Sequence, residues 1–332
     1  MSPGEIYLGI DIGGTKTNIG LVDTKGTVLA QRRIPTSTNA HCQSAEQDLQ
    51  SIIQGTQELI TELNSKPTIR SIGIGVPGTV DRSLGEVVFA PNLNWRHVPI
   101  RDFFAKTFDL PICVGQDTEA AAWGEFLFGA GRDMRDIACI TIGTGIGCGL
   151  VIGGQLYKGR FGTAGEIGHT MVEKAGLACN CGRSGCAEAY ASGTAILKRF
   201  REAVQAGQKS SLLQHMELDK ITTRDIFSGA KAHDLLSEAV IKDAVEYLSM
   251  ALTNLVNLMC PEAVILSGGI SQQRELFVNP LIEQTYARMY SVLVDKVKIT
   301  TAELGTNAPL IGAAMLCKDP SYQGSMGKEG KS

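Results

Sequence analysis

The stretch IYLGIDIGGTKTNIGLVDTKGTVLAQRRI (6–34) decides the fold class of this chain. Its apolar segments at 6–11, 16–24 and 26–34 are separated by a Gly-Gly turn and a Lys-Gly turn, which predicts three antiparallel strands. A similar order of strand, small-residue turn and return strand recurs in ITIGTGIGCGL (140–150). We interpret the two segments as a loose internal repeat that marks two related halves of the chain, and two unrelated hairpins are the alternative.

The remainder of the chain alternates predicted helices and buried strands. Apolar residues spaced three and four apart predict helices, the first with Ser44 as its N-cap, at residues 44–64, 99–108, 117–129, 234–259 and 308–317. Short apolar runs predict three strands within 136–159 and further strands at residues 71–78, 111–115, 263–271 and 297–304. The polar segment 318–332 lacks periodicity, so we expect a disordered tail there.

The composition argues against several classes of protein. A net charge of −3 over 332 residues, with no long basic run, argues against a nucleic-acid-binding surface. No apolar run reaches the ~18–20 residues that a membrane span needs, and the N-terminus lacks a secretory signal pattern, so we expect a cytoplasmic protein. Six of the nine cysteines are scattered singly and are expected to be free buried thiols of a reducing compartment: Cys42, Cys113, Cys139, Cys148, Cys260 and Cys317.

Three glycine-rich turns follow apolar strands, namely DIGGT (11–15), GTGIGCG (143–149) and SGGIS (267–271). Because glycine has no Cβ, the backbone N–H groups of such turns can close around phosphate oxygens, although most glycine turns are only turns. None of the three matches a Walker A loop or the GxGxxG pattern of dinucleotide-binding folds. Asp11 lies at the first turn and can hold Mg²⁺ through water, and an aspartate bonded to its own backbone is the alternative.

Several carboxylates and amides are candidates for catalysis or substrate binding. Asp117 follows a buried strand and opens a predicted helix, where it can accept a hydroxyl proton as a general base; an ordinary helix N-cap is the alternative. Carboxylates and amides also form hydrogen bonds with sugar hydroxyls. The candidates for such contacts, each of which can instead be a solvated surface residue, are Glu166 in GEIGH (165–169), Glu188, and Asn92 and Asn94 in PNLNW (91–95).

The segment HTMVEKAGLACNCGRSGC (169–186) has the spacing H-x9-C-x-C-G-x2-G-C. Three thiolates and one imidazole form a closed tetrahedral set that is typical of structural zinc, so no open position is left for catalysis. A redox role is disfavoured because no C-x-x-C motif is present, and an iron–sulfur cluster usually needs four cysteines. The predicted zinc ligands are His169, Cys179, Cys181 and Cys186.

The motifs follow one another in the order DIGGT, GVPG, Asp117, GTGIG, GEIGH, CxCGxxGCxE and SGG. This order resembles the ROK family of bacterial sugar kinases and repressors, over about residues 6 to 317. Stretches such as FAPNLNW and AAAWGE are most similar to its glucokinases. The resemblance implies an α/β fold of the actin–hexokinase type, with two ribonuclease-H-like domains of mixed sheets and flanking helices and an active-site cleft between them. It implies a smaller N-terminal domain of residues 1–117 plus about 305–317 and a larger C-terminal domain of residues 118–304, which contains the zinc-binding loop. Residues 318–332 would form the disordered tail.

The resemblance also implies roles for individual residues. Asp117 matches the catalytic base, and the implied sugar contacts are Gly78, Asn92, Gln116, Asp117, Glu166, His169 and Glu188. The implied ATP and Mg²⁺ site comprises Asp11, Gly13, Gly14, Thr15, Lys16, Thr144, Gly145, Gly268 and Gly269. His169 is expected to ligate zinc with one ring nitrogen and to donate to sugar with the other. The sequence departs from the Asn-Asp-Ala-Asn pattern of the family by reading QDTE at 116–119.

The resemblance implies ATP-dependent phosphorylation of glucose at the 6-hydroxyl, a step of glycolysis, by a homo-oligomer (dimer or tetramer). A kinase for N-acetylmannosamine, N-acetylglucosamine or fructose is the alternative. A sugar-sensing repressor is a remote one, because such proteins carry a DNA-binding domain before the sugar fold and the first strand begins near residue 6.

Overall fold

The computed structural model describes residues 5–36, 44–62 and 68–323. Over these residues the chain forms thirteen strands: β1 (Ile6–Ile12), β2 (Lys16–Asp23), β3 (Val28–Pro35), β4 (Ile69–Val76), β5 (Thr79–Asp81), β6 (Glu86–Ala90), β7 (Trp95–Val98), β8 (Ile112–Gln116), β9 (Ile137–Ile142), β10 (Ile146–Ile152), β11 (Gln155–Leu156), β12 (Ala263–Ser267) and β13 (Lys298–Thr301). It also forms ten α-helices: α1 (Ala45–Thr61), α2 (Ile100–Ala105), α3 (Asp117–Phe128), α4 (Glu188–Ala191), α5 (Gly193–Gln205), α6 (Thr223–Lys231), α7 (Leu235–Met259), α8 (Asn279–Arg288), α9 (Ala308–Ala314) and α10 (Pro320–Gln323).

The chain divides into two compact units. Unit 1 comprises the described residues of 1–139, 149–164 and 302–332, and unit 2 comprises 140–148 and 165–301. The sequence-based division assigned residues from 118 onward to the second domain. The structure instead has α3 in unit 1, because this helix packs on α9, which belongs to the same unit.

Unit 1 contains a five-stranded mixed sheet with the strand order β3-β2-β1-β4-β8. β1, β2 and β3 are antiparallel neighbours, which confirms the hairpin prediction for residues 6–34. β4 and β8 run parallel to β1, so the carboxyl ends of these three strands lie at one edge. The shorter antiparallel sheet β5-β6-β7 follows β4 in the chain and was not predicted from the sequence.

Helix α9 approaches its neighbours in unit 1 so closely that backbone meets backbone. A Cβ atom at Gly9 of β1 would collide with the carbonyl oxygen of Leu310, and one at Gly73 of β4 with that of Ala313. On the other side of α9, a Cβ at Gly312 would overlap the Ala120 carbonyl of α3. Glycine is required at these contacts because any side chain would push the helix away from the sheet or from α3.

A buried carboxylate fixes the far end of α3. Glu125 is fully buried, and its Oε2 atom accepts hydrogen bonds from the backbone N–H groups of Ala130 (2.9 Å) and Glu303 (3.0 Å). Its Oε1 atom accepts a third from Leu304 at 2.8 Å. Three N–H donors compensate the lost hydration of the carboxylate, so Glu125 ties the end of α3 to the segment that leads into α9.

Unit 2 is built around the long helix α7, which matches the predicted helix at 234–259, has Asp234 as its N-cap and packs against α4, α5, α6 and α8. A five-stranded sheet has the order β11-β10-β9-β12-β13, with β12 and β13 parallel. Of these strands, β9 and β10 have residues in both units and β11 belongs to unit 1. Helices α4, α5, α6 and α8 were not predicted from the sequence.

Three sequence-based expectations are wrong, and the first concerns Cys260, which is a free thiol but is exposed rather than buried. Cys113 and Cys317 are not free thiols, because the structure joins them in a disulfide. The expected disordered tail does not begin at residue 318, because α10 is ordered and Tyr322 is 1% exposed. Three parts of the sequence-based predictions lie outside the described residues: the stretch 324–332, Cys42 and the last two residues of the predicted first helix. Among the described helices, none combines the length and the apolar character that crossing a membrane requires.

The close packing of α9 predicts a stability difference between two glycine substitutions. Gly312→Ala places a methyl group against the backbone of α3, so we expect a loss of about 1–3 kcal/mol or more in the free energy of unfolding. Gly269→Ala is the matched control, because its Cβ would meet nothing within 4 Å and its φ of −66° suits alanine. Chemical denaturation of both variants checks this, and equal losses would contradict the packing argument.

Candidate active site

The carboxyl edge of the unit 1 sheet brings predicted site residues together. Asp11, near the end of β1, lies opposite Gly75 of β4, and Val76 of β4 lies opposite Gln116, the last residue of β8. Asp117 follows directly as the first residue of α3. Because parallel strands end at the same edge, two acidic residues that are 106 positions apart in sequence face one region of unit 1.

Asp117 has the properties expected of a general base. Its Oδ1 atom accepts a hydrogen bond from the backbone N–H of Thr118 at 2.8 Å. Burial, and secondarily the negative charge of Asp11, raise the pKa of Asp117 to about 6. A carboxyl group with such a pKa is mostly ionised at neutral pH and is a stronger proton acceptor than an ordinary aspartate.

Asp11 is held in place by a polar chain on the sheet. Its Oδ2 atom accepts a hydrogen bond from Asn18 Nδ2 (2.9 Å), and Asn18 Oδ1 accepts one from Arg33 Nε (2.9 Å). Burial raises the pKa of Asp11, while the Asn18 bond and the charge of Lys16 act in the opposite direction. Two carboxylates that repel each other form a site that a divalent cation would stabilise, so the donor set fits Mg²⁺.

The first glycine turn lies next to the predicted sugar-binding turn. The N–H of Gly13 donates to the carbonyl of Lys16 at 3.0 Å, which closes the turn, and a Cβ on Gly14 would lie 3.8 Å from the carbonyl oxygen of Asn92. Asn92 belongs to a single 3₁₀ turn that ends at Asn94, whose φ of 54° is left-handed. The structure thus brings the proposed phosphate turn and Asn92 together within unit 1.

The side chain of Gln116 contacts the protein at both ends of its amide. Nε2 donates to the carbonyl oxygen of Gly78 at 2.8 Å, and the side chain also accepts from the backbone N–H of Glu119 in a capping box. Glu119 in turn forms a buried ion pair with Arg82. The sequence analysis singled out Gln116 and Glu119 as departures from the family pattern but missed Arg82, which nothing in its local sequence distinguishes.

Unit 2 brings the second and third glycine turns together. Gly268 has a φ of 92°, and a Cβ there would collide with the backbone of Ile142, which directly precedes the turn at 143–145. On the same turn, Glu188 Oε2 accepts a hydrogen bond from the N–H of Ile146 at 2.8 Å. Glu188 therefore lies beside the proposed phosphate turn.

The start of α5 also contacts this turn and was missed. The carbonyl of Gly143 accepts from the N–H of Gly193 at 2.8 Å, and that of Thr144 accepts from Thr194 Oγ1 at 2.8 Å. The sequence does contain a signal for the start of this helix, because Ser192 precedes Gly193 and Thr194 and acts as the N-cap of α5.

Both glycines of GEIGH allow this segment to lie directly on β10. A Cβ on Gly165 would collide with the carbonyl of Cys148, and one on Gly168 with that of Ile146. The segment places His169 between two different neighbours. Its Nδ1 atom lies 3.6 Å from the Cys179 sulfur, and its Nε2 atom lies 4.0 Å from Glu166 Oε2.

The four predicted zinc ligands converge in unit 2. Their ligand atoms all lie within 4.8 Å of one another, and the sulfurs of Cys181 and Cys186 are 3.6 Å apart. Ligand atoms on a tetrahedron around zinc are ~3.4–3.8 Å apart, so the donor set fits this metal in spacing and in chemistry. The backbone N–H of Arg183 lowers the pKa of Cys181 to about 6, which favours the thiolate that a metal requires.

The chain is similar to proteins named as glucokinases and as xylose repressors. It is 33% identical to a glucokinase of Streptomyces coelicolor, over 95% of this chain and 98% of that protein. It is 31% identical to the xylose repressor of Bacillus subtilis, over 94% of this chain and 77% of the repressor. A crystal structure of a ROK family glucokinase from Streptomyces griseus in complex with glucose and AMPPNP matches with a TM-score of 0.78 and 33% identity, covering 94% of this chain and 98% of that one.

The match to the family model covers far more of the chain than the short motifs do. The ROK family model matches residues 7–320, which include both units and every candidate site residue. The mixed sheets with flanking helices agree with the actin–hexokinase type of fold that the resemblance implied. The chain therefore belongs to the ROK family.

Proposed function

We propose that this protein transfers the γ-phosphoryl group of ATP to the 6-hydroxyl of glucose. The observation that carries the proposal is Asp117, a partly buried carboxylate with a pKa of about 6 at the start of a helix, beside a second carboxylate suited to Mg²⁺. Relatives named glucokinase, and a relative crystallised with glucose and AMPPNP, support the same reaction class. A kinase for N-acetylmannosamine, N-acetylglucosamine or fructose is the alternative within this class.

In the proposed reaction, Asp117 accepts the proton of the sugar 6-hydroxyl as that oxygen attacks the γ-phosphorus atom. The bond between the γ-phosphorus and the bridging oxygen breaks, and ADP leaves with the electron pair. Mg²⁺, held through water near Asp11, would offset the charge of the phosphates. Most of the remaining rate enhancement comes from holding the two reactants in line.

We assign phosphate binding to backbone groups in both units. In unit 1 these are Gly13, Gly14, Thr15 and Lys16, and in unit 2 they are Thr144, Gly145, Gly268 and Gly269. The close packing of Gly268 on Ile142 supports the assignment in unit 2, because it aligns the two turns there. We assign sugar binding to Asn92 in unit 1 and to Glu166, His169 and Glu188 in unit 2.

The His–Cys cluster is proposed to hold a structural zinc ion with no catalytic role. Its four ligands leave no open coordination position. The ion would fix the loop 169–186, so that His169 and its neighbour Glu166 are ordered before sugar binds. His169 Nδ1 faces the cysteines while Nε2 faces Glu166, which supports a ring that serves the metal and the substrate with different nitrogens.

The hexose preference is tested by a panel of sugars with MgATP. We expect the highest kcat/KM for glucose among glucose, fructose, N-acetylglucosamine and N-acetylmannosamine, measured as ADP formation. A higher kcat/KM on an N-acetylhexosamine would overturn the choice of glucose. A protein that binds hexoses but forms no ADP with any of them would support the repressor alternative instead.

The role of Asp117 predicts a separation of binding from turnover. Asp117→Asn keeps the size of the side chain but cannot accept the proton, so we expect kcat to fall about 10²- to 10⁴-fold while the glucose dissociation constant stays nearly unchanged. Calorimetry and coupled kinetics measure the two quantities. Asp109→Asn, an exposed carboxylate before β8, is the control and should retain kcat. Near-normal turnover of Asp117→Asn would exclude this base.

The raised pKa of Asp117 predicts a pH dependence. The base acts only when ionised, and its pKa in the free enzyme is about 6. We therefore expect kcat/KM for glucose to be level near pH 7.5 and to fall tenfold per pH unit below about pH 6. A profile that stays level down to pH 4.5 would show that an ordinary aspartate, or no carboxylate, limits the reaction.

The zinc proposal predicts about one zinc ion per chain by elemental analysis. Cys181→Ser removes one ligand, so we expect loss of the metal, a lower melting temperature and weaker glucose binding together. Cys260→Ser is the matched control, because Cys260 is an exposed cysteine outside the cluster. The proposed stabilising role fails if Cys181→Ser loses the metal and still binds glucose with full affinity.

A further inference from the structure

A buried ion pair lies two residues from the proposed base. Arg82 Nη2 contacts Glu119 Oε1, and the two side chains are only 6% and 3% exposed. Removing two charges from water costs several kcal/mol per ion, and their attraction often does no more than balance that cost. A contribution to stability is therefore a weak explanation for this ion pair. Its contacts indicate instead that it holds neighbouring groups in position.

Glu119 links the ion pair to the backbone on the amino side of Asp117. While Oε1 contacts Arg82, Oε2 accepts a hydrogen bond from the N–H of Gln116 at 3.2 Å. The side chain of Gln116 accepts from the N–H of Glu119 in return. Asp117 thus lies between two residues whose side chains and backbones are bonded reciprocally, which fixes the first turn of α3.

Gln116 extends this arrangement to the turn after β4. Its Nε2 atom donates to the carbonyl of Gly78, whose φ of 97° and contact with Ala90 leave no room for a side chain. Ala90 directly precedes the 3₁₀ turn that holds Asn92. The amide of Gln116 therefore connects the base to the segment that carries a proposed sugar ligand.

Arg82 is itself anchored on two sides. Its carbonyl oxygen accepts a hydrogen bond from Arg101 Nη2 at 2.6 Å, which holds its backbone. Its guanidinium lies 5.5 Å from the ring centre of the buried Tyr322, so the planar group has an aromatic neighbour as well as a carboxylate. An anchored cation gives Glu119 one fixed position.

We propose that Arg82, Glu119 and Gln116 are positioning residues of the phosphoryl-transfer site, which fix the orientation of Asp117 and the Gly78 turn without contacting substrate. The proposal rests on the proposed function of Asp117 as the base. Gln116 then contributes through Gly78 rather than through a sugar hydroxyl, because its amide donor and acceptor both have partners within unit 1.

The test compares Glu119→Gln, Arg82→Met and the double variant with the wild type. Each single variant loses the anchor, so we expect kcat to fall about 10- to 100-fold with the KM values for glucose and MgATP within about twofold. Hydrogen exchange of the amides at 116–121 should become about tenfold faster in both. The double variant should melt above either single one, because no unpaired charge stays buried, yet its kcat should remain low.

Two results would overturn the proposal. One is a wild-type rate of hydrogen exchange at 116–121 in both single variants, because the ion pair would then not order the start of α3. The other is a wild-type kcat in the double variant, since the pair would then serve stability alone. Arg32→Met removes the ion pairs that this residue of β3 forms with Glu58 and Glu62, and β3 lies on the opposite side of the sheet from β8 and Asp117; it is the control and should retain both the exchange rate and kcat. If the wild type phosphorylates no hexose, the proposed function fails, while the exchange data still decide whether the pair orders the start of α3.

Discussion

The backbone-to-backbone approach of α9 is the constraint on which unit 1 depends. Gly9 and Gly73 let this helix touch the central strands β1 and β4, and Gly312 lets it touch α3. Since no side chain separates these elements, α3 has one position relative to the strand ends. The distance between Asp11 and Asp117, and hence their mutual repulsion, follows from that packing. Glu125 adds a second restraint, because it bonds the far end of α3 to the segment before α9.

Much of the fold could be predicted from sequence because its signals are local. Apolar runs, glycine turns and the N-cap Ser44 each depend on a few adjacent residues, and the structure confirms them. Contacts between distant residues left no such signal. Cys113 and Cys317 are 204 positions apart, and Tyr322 lies in a polar segment that lacks periodicity although its ring is buried. The helices α5 and α6 were missed although their N-caps, Ser192 and Thr222, are local signals of the same kind.

The site shows the same division between local and long-range information. The four predicted zinc ligands lie within one loop, so their spacing alone predicts the cluster that the structure brings together. Asp117 could be placed at a helix start, but its raised pKa depends on burial and on Asp11, which only the assembled sheet determines. The ion pair of Glu119 joins residues 37 positions apart, and the sequence therefore showed an unusual residue without its partner.

The two nitrogens of His169 have a thermodynamic consequence. Under the proposed assignment, metal and sugar share one imidazole, so their binding equilibria are linked. Linkage is reciprocal: whatever factor the metal contributes to sugar affinity, the sugar contributes to metal affinity. A protein saturated with its substrate would then retain zinc against a chelator better than the free protein does. The loop 169–186 would in this way make metal retention depend on the supply of sugar.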